Sequence, residues 1–183
     1  MNKESTSTGV YRRGASDGAL MGLVLCALFA SWALSMRMAV ASLAFPLLLL
    51  AVPVLAFVQL RRGYRADLGT STFSALWMHG ICTFFFGTLL MAALAIVWLR
   101  WWEPGLIGES LRSAADVYAS LGSPEAQKMA ADVRALLDKG LAPRPVDIGL
   151  SLMWAGVFSG SILSMIYAGI IRTLGYRPRN QKK

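Results

Sequence analysis

The sequence predicts an all-α integral membrane protein with four transmembrane helices and a periplasmic amphipathic helical hairpin between the third and fourth. Three observations carry this. Four apolar stretches, roughly residues 18–36, 39–60, 71–99 and 148–171, are each long enough for a helix to cross a hydrocarbon core, which takes about 20 residues. The 183-residue chain is 56% hydrophobic, above the roughly 45–50% of a soluble domain. Its formal charge of +8 is also one-sided. Eleven Lys and Arg and three acids fall on the side of the termini and the 61–70 connection, against seven bases and seven acids on the other side. Basic residues beside helix ends stay in the cytoplasm, so both termini are expected inside and the 101–147 loop outside, in one membrane domain.

Residues 1–13 are polar and read as disordered at their start. The first span follows Gly14-Ala15-Ser16-Asp17 and ends at Arg37. A very short turn then makes spans one and two an antiparallel hairpin. A basic start, an apolar stretch and Ala39-Val40-Ala41 also fit a signal peptide. The apolar stretch exceeds a typical signal core, however, and a second run follows at once. The second span contains Pro46 and Pro53, seven apart and on nearly one face. Each removes a donor and frees a carbonyl one turn back, which predicts a kink or an ion-coordinating break.

The third span is the longest. As a helix, Ser71–Leu99 would measure about 43 Å, so it must tilt or project from the membrane. Trp98, Trp101 and Trp102 read as an aromatic belt at its outer end, with Trp77 a second anchor near the inner end. In the outer loop, Ile107, Leu111, Ala114, Tyr118 and Leu121 recur at helical steps. Gly122-Ser123-Pro124 breaks the chain, with Ser123 as N-cap and Pro124 in the first helical position. Met129, Ala130, Val133, Leu136 and Leu137 form a second stripe, stopped by Gly140. Helices this short do not stand alone, so their stripes are expected against each other, the bilayer surface or a partner.

The strongest pattern within the spans is a ridge of small residues. Gly14, Gly18, Gly22, Cys26 and Ala30 follow at steps of four, and Gly156 and Gly160 repeat the idea in the last span. Small residues let membrane helices approach closely and pack. The ridge therefore reads as a helix-packing interface, either within the monomer or towards a second copy or another membrane protein. Asp17 and His79, both towards the inner side, form a candidate intramembrane polar site. An imidazole titrates near pH ~6.5 and can carry a proton. The structural alternatives are an Asp17 that caps a helix and a neutral, hydrogen-bonded His79.

Arg61, Arg62 and Arg65, with Arg177 and Arg179 in the tail, are candidate contacts to anionic lipid head groups. No aromatic or glycine pattern accompanies them, which argues against nucleic acid. The chain's one His and two intramembrane Cys supply no metal site and no disulfide framework. No P-loop, nucleophile elbow or paired-carboxylate motif is present, so neither a cofactor nor an enzymatic activity is expected.

The order of parts resembles a bacterial membrane family called domain of unknown function 4199 (DUF4199). The residues that carry the resemblance are Arg61-Arg62-Gly63-Tyr64-Arg65, then Gly69, Phe73 and Gly80, the charged loop from Glu103 to Asp147, and Gly156 and Gly160. The resemblance implies a multi-pass inner-membrane protein working beside envelope or lipid-linked glycan enzymes, and the family has no established activity to transfer. The leading expectation is a non-catalytic assembly or accessory subunit that associates through its small-residue faces. The alternative is a small oligomeric transporter or channel with Asp17 and His79 near the path.

Overall fold

The computed structural model describes residues 3–35 and 37–175. Arg177 and Arg179 lie outside them. Among the described residues there is no strand. The elements are α1 (Lys3–Ser35), α2 (Ala39–Ala66), α3 (Phe73–Val97), a π turn (Trp98–Trp102), α4 (Leu106–Ser120), α5 (Pro124–Asp138) and α6 (Pro145–Leu174). Four stretches are long and apolar enough to cross a membrane: Arg13–Ser35, Val40–Ala66, Phe73–Trp102 and Pro145–Leu174. The chain forms two compact units, one running to Ala92 and resuming at Ser151, the other comprising Ala93–Leu150.

In the first unit, α1 begins well before its apolar stretch. Helix extension adds one hydrogen bond per residue fixed once a nucleus exists, and the apolar span supplies that nucleus. Asp17 consequently sits inside a helix rather than at its cap, which removes the capping role considered for it. In α2, Pro46 and Pro53 lie within one continuous helix. Unwinding there would leave further backbone groups unpaired in lipid. This helix is the outermost of the spans, with only 6% of its apolar window buried. Val40, Leu43, Leu47, Leu50 and Val54 all point outward.

The small-residue ridge faces inward. A Cβ added at Gly14 would stand 2.8 Å from the Cβ of Cys82, at Gly18 2.7 Å from that of Phe86, and at Gly22 2.7 Å from Leu90 Cδ1. These glycines are the seam along which α1 meets α3. On the other side of α3, Gly156 receives Thr88 and Gly160 receives the Phe84 ring, while Gly80 of α3 receives Ser164 of α6. Of the two readings of the ridge, packing within the monomer is the one that describes Gly14, Gly18, Gly22, Gly156 and Gly160. Cys26 and Ala30, further along the ridge, are half-buried. Where the termini-proximal ends of the spans converge, Leu60 and Tyr64 of α2, Leu76 of α3, and Ala168 and Ile171 of α6 form a buried cluster. Phe57 and Tyr167 meet edge-on beside it, 5.4 Å between centroids. Trp77 packs on the same cluster and its indole N–H donates to the Ser161 carbonyl at 3.1 Å, so it joins two helices and is not a free interfacial anchor.

In the second unit the third span ends in the π turn. The backbone N–H of Glu103 donates to the Trp98 carbonyl, and the Trp98 indole donates to the Glu103 carboxylate at 3.1 Å. Trp98 and Trp102 stack at 5.0 Å, and Arg100 lies 5.8 Å above the Trp101 ring. Ser123 caps α5 by accepting from the Ala126 N–H, with Pro124 in the first turn. Gly122 and Gly140 both adopt positive φ, near 70°, which lets the chain reverse and α5 end without a Cβ clash. α4 and α5 pack against each other.

Candidate functional site

Where α1, α2 and α3 come together beside the α2–α3 connection, the first unit holds a cluster of polar side chains. Each is placed by helical register. Asp17 lies three residues past Gly14 and one before Gly18, beside the face that meets α3. His79 lies three residues before Cys82, the residue opposite Gly14, and one residue before Gly80. The close approach at the glycines brings the two together: His79 Nε2 is 3.0 Å from Asp17 Oδ2. Asp17 and His79, paired in the sequence only by being on one side of the membrane, thus form one hydrogen-bonded unit. His79 is 5% exposed and Asp17 is half-buried.

Gln59 of α2 completes this unit. Its amide Nε2 donates to the backbone carbonyl of Asp17 at 2.9 Å. Gln59 is 1% exposed, and its Oε1 has no hydrogen-bond partner among the described residues. Four residues on, Gly63 faces the imidazole: a Cβ there would stand 3.7 Å from His79 Nε2, in ordinary contact. The imidazole is therefore held between α1 and α2 while belonging to α3.

A second pair closes the water-facing edge. Arg13 Nη1 donates to Asp67 Oδ1 at 2.6 Å, tying the start of the first span to the α2–α3 connection. Ser71 donates to the other carboxylate oxygen of Asp67, also at 2.6 Å. Partial burial by itself raises the Asp67 carboxyl. The hydrogen bonds from Ser71 and Arg13, and the Arg13 charge, outweigh it and hold the group below its ordinary range. Arg13, Gly63, Asp67, Ser71, Ala75, Leu76 and His79 enclose a cavity of ≈20 Å³. A space of about 10–15 Å³ already holds a water, so this cavity admits water-sized species only.

Chemically, the cluster joins an imidazole to a carboxylate by a hydrogen bond. Arg13 and Asp67 stand on the same cavity as the imidazole, and the phenol of Tyr64 lies in the neighbouring apolar cluster. At formal charges Arg13, Asp17 and Asp67 sum to one negative charge. Below the site, Thr83 donates its hydroxyl to the His79 carbonyl at 2.9 Å, and apolar Met21, Phe84 and Leu25 are buried beyond. Arg61, Arg62 and Arg65 are exposed at the end of α2. Among the described residues no cluster of three or more His, Cys, Asp or Glu could hold a metal ion.

Sequence reasoning missed Gln59 and the Arg13–Asp67–Ser71 clasp. Gln59 carries the only amide side chain in the four spans, a signal available beforehand. Asp67 is the only acid in the 61–70 connection and offered the same kind of clue. A family model described as "Protein of unknown function (DUF4199)" matches residues 16–173. No curated protein and no solved structure matches the chain.

Proposed function

The chain belongs to the DUF4199 family, and from its polar site we propose that it is a non-catalytic, proton-responsive accessory subunit of the bacterial inner membrane. The observation that carries this is the 3.0 Å contact between His79, the chain's only histidine, and Asp17. Ionisable residues within a span are costly and mark function by default. Imidazole is the side chain whose ordinary titration falls between about pH 5 and 8. Protonation turns the hydrogen bond between neutral imidazole and the Asp17 carboxylate into an ion pair, adding the attraction of opposite charges. Acidification on the side of the cavity thus tightens α1 against α3, and alkalinisation relaxes the seam. The one-sided basic charge supports a reading with that side, and both termini, in the cytoplasm and the 101–147 segment in the periplasm. With the ridge glycines occupied inside the chain, association with a second copy or another membrane protein uses outward faces such as that of α2.

The test exploits the single histidine. Protein labelled with ¹⁵N-histidine and held in nanodiscs reports the protonation of His79 alone, while spin labels on α1 and α3 report their spacing. A change in His79 protonation as pH is varied from about 5 to 8, with a change in spacing that Asp17→Asn abolishes, is the expected result. A histidine that stays in one state, or a spacing blind to pH, overturns the proposal.

Conduction through the same site is the second reading. Its support is the run of buried polar side chains that continues along α3 from His79 to Thr83 and Thr88. It expects ion flux in proteoliposomes that changes in His79→Ala. Equal flux in both proteins removes it.

A further inference from the structure

The second unit is packed the wrong way round for a hairpin in water. The side chains that α4 and α5 bury fully are Leu106, Ala115, Ala126 and Ala130, three of them alanines. Ile107, Leu111, Val133 and Leu137 are half-buried, and the other large apolar residues of the same helices stay outside: Val117 is 59% exposed, Leu121 63%, Met129 57% and Leu136 51%. Tyr118 and Leu141 are exposed as well. The facing helix, one of the places expected for the two stripes, takes up only part of them. The alanines let the helices approach closely, and the rest of the stripes is left over.

Those stripes share one side. On α4, Ala114, Val117 and Leu121 are offset from the α5-facing Ala115 in one rotational sense. On α5, Met129 and Leu136 are offset from the α4-facing Ala126 and Ala130 in the same sense. The short Leu121–Ser123 link makes the pair antiparallel, and in an antiparallel pair equal senses fall on the same face. The Arg134–Asp116 ion pair at 2.7 Å bridges the two helices between polar, exposed positions.

We propose that this face lies on the lipid of the outer leaflet, with the hairpin flat in the bilayer interface. Two observations select lipid over a protein partner. The hairpin is tethered at both ends to membrane-spanning helices. Only Glu103–Gly105 separate it from the π turn, a reach of at most about 10 Å. The tether begins at Trp101 and Trp102, 72% and 74% exposed, and indoles with an apolar body and a polar N–H settle at the head-group level. The charge balance then names the kind of lipid. Between 101 and 147 there are five bases against seven acids, so no basic excess attracts anionic head groups. Attachment rests on apolar area and is indifferent to lipid charge.

The test is spin-label accessibility on the full chain in nanodiscs of neutral phosphatidylcholine, with Cys26 and Cys82 replaced by Ala. Labels enter at exposed positions, as Val117→Cys and Leu136→Cys on the apolar face and Arg112→Cys and Gln127→Cys on the polar face. Oxygen, which concentrates in lipid, should relax the first pair, and a water-soluble nickel chelate the second. The pattern should persist at high salt and in nanodiscs with anionic lipid. Nickel access at all four positions means that the hairpin stands in water. Labels at 117 and 136 shielded from both agents mean that protein, a second copy or another chain, covers the face. Either outcome overturns the proposal.

Discussion

Replacing Gly18 by alanine tests the inward-facing ridge most directly. The new Cβ would stand 2.7 Å from Phe86 Cβ and 3.1 Å from the backbone carbonyl of Thr83. Ordinary carbon contacts lie near 3.5–4.0 Å, so α1 and α3 must separate by roughly 1 Å. Neither obstacle is the far end of a flexible side chain, so no rotamer change relieves it. Overpacking of this kind costs about 1–3 kcal/mol. In water, alanine would regain about 1 kcal/mol of helix propensity. In a bilayer the separated spans are already helical, with their backbone bonds satisfied, so that gain does not apply. The expected loss is therefore the full ~1–3 kcal/mol, about 5- to 150-fold in the unfolding equilibrium at 1.4 kcal/mol per decade. Gly18→Leu should prevent α1 from docking. Ala19→Leu, one residue along on an exposed face, is the control. Reversible unfolding in mixed micelles, followed by a label pair across α1 and α3, measures the difference. If Gly18→Ala leaves the monomer as stable as wild type and abolishes only self-association, the ridge faces outward and the packing argument is wrong.

Further outcomes follow from the same geometry. Asp67 has its carboxyl held below the ordinary range, so the stability of the Arg13–Asp67–Ser71 clasp is fully present above the unfolded value. It is lost as pH falls through the lower, folded one. Asp67→Asn should remove that acid-side dependence, read by hydrogen exchange in the 67–72 connection. Losing the Ser123 cap of α5 in Ser123→Ala should cost about 1 kcal/mol, seen as faster exchange in the first turn of α5. Gly122→Ala forces a left-handed φ on a residue with a Cβ, at a cost of about 1 kcal/mol, and should loosen the α4–α5 pair without affecting the spans. Gln59→Leu removes a buried amide that is only half satisfied. It should weaken the hold on Asp17 and broaden the His79 resonance, with the spans still assembled.

Most of the helices were legible because a membrane leaves little choice. Backbone groups in lipid must pair within their own helix, so each apolar run of sufficient length becomes one, even through Pro46 and Pro53. The cap at Ser123-Pro124 and the turn at Gly122 were legible because they are local chemistry. The site was half legible. Asp17 and His79 stood out as ionisable residues in apolar surroundings. The partners Arg13 and Ser71 did not, because a flanking arginine and a serine are common near span ends, and Gln59, though the one amide in the spans, carries no charge to mark it. Their roles depend on which helices are neighbours.

The sequence by itself determined how many spans there are and where the caps and charges fall, since hydropathy, turn chemistry and charge act along the chain. Only the tertiary structure decided which way the small residues face. A step of four fixes that Gly14, Gly18 and Gly22 share a side of α1, yet says nothing about which helix arrives there. The arrival of α3 converts an ambiguous ridge into an internal seam and brings His79 to Asp17. In the hairpin, likewise, periodicity gave two apolar stripes. The choice to bury alanines and expose Leu121 and Leu136 belongs to the packing of one helix on the other. Periodicity records a direction around one axis, whereas contact requires a second axis, and that second axis is absent from the linear code.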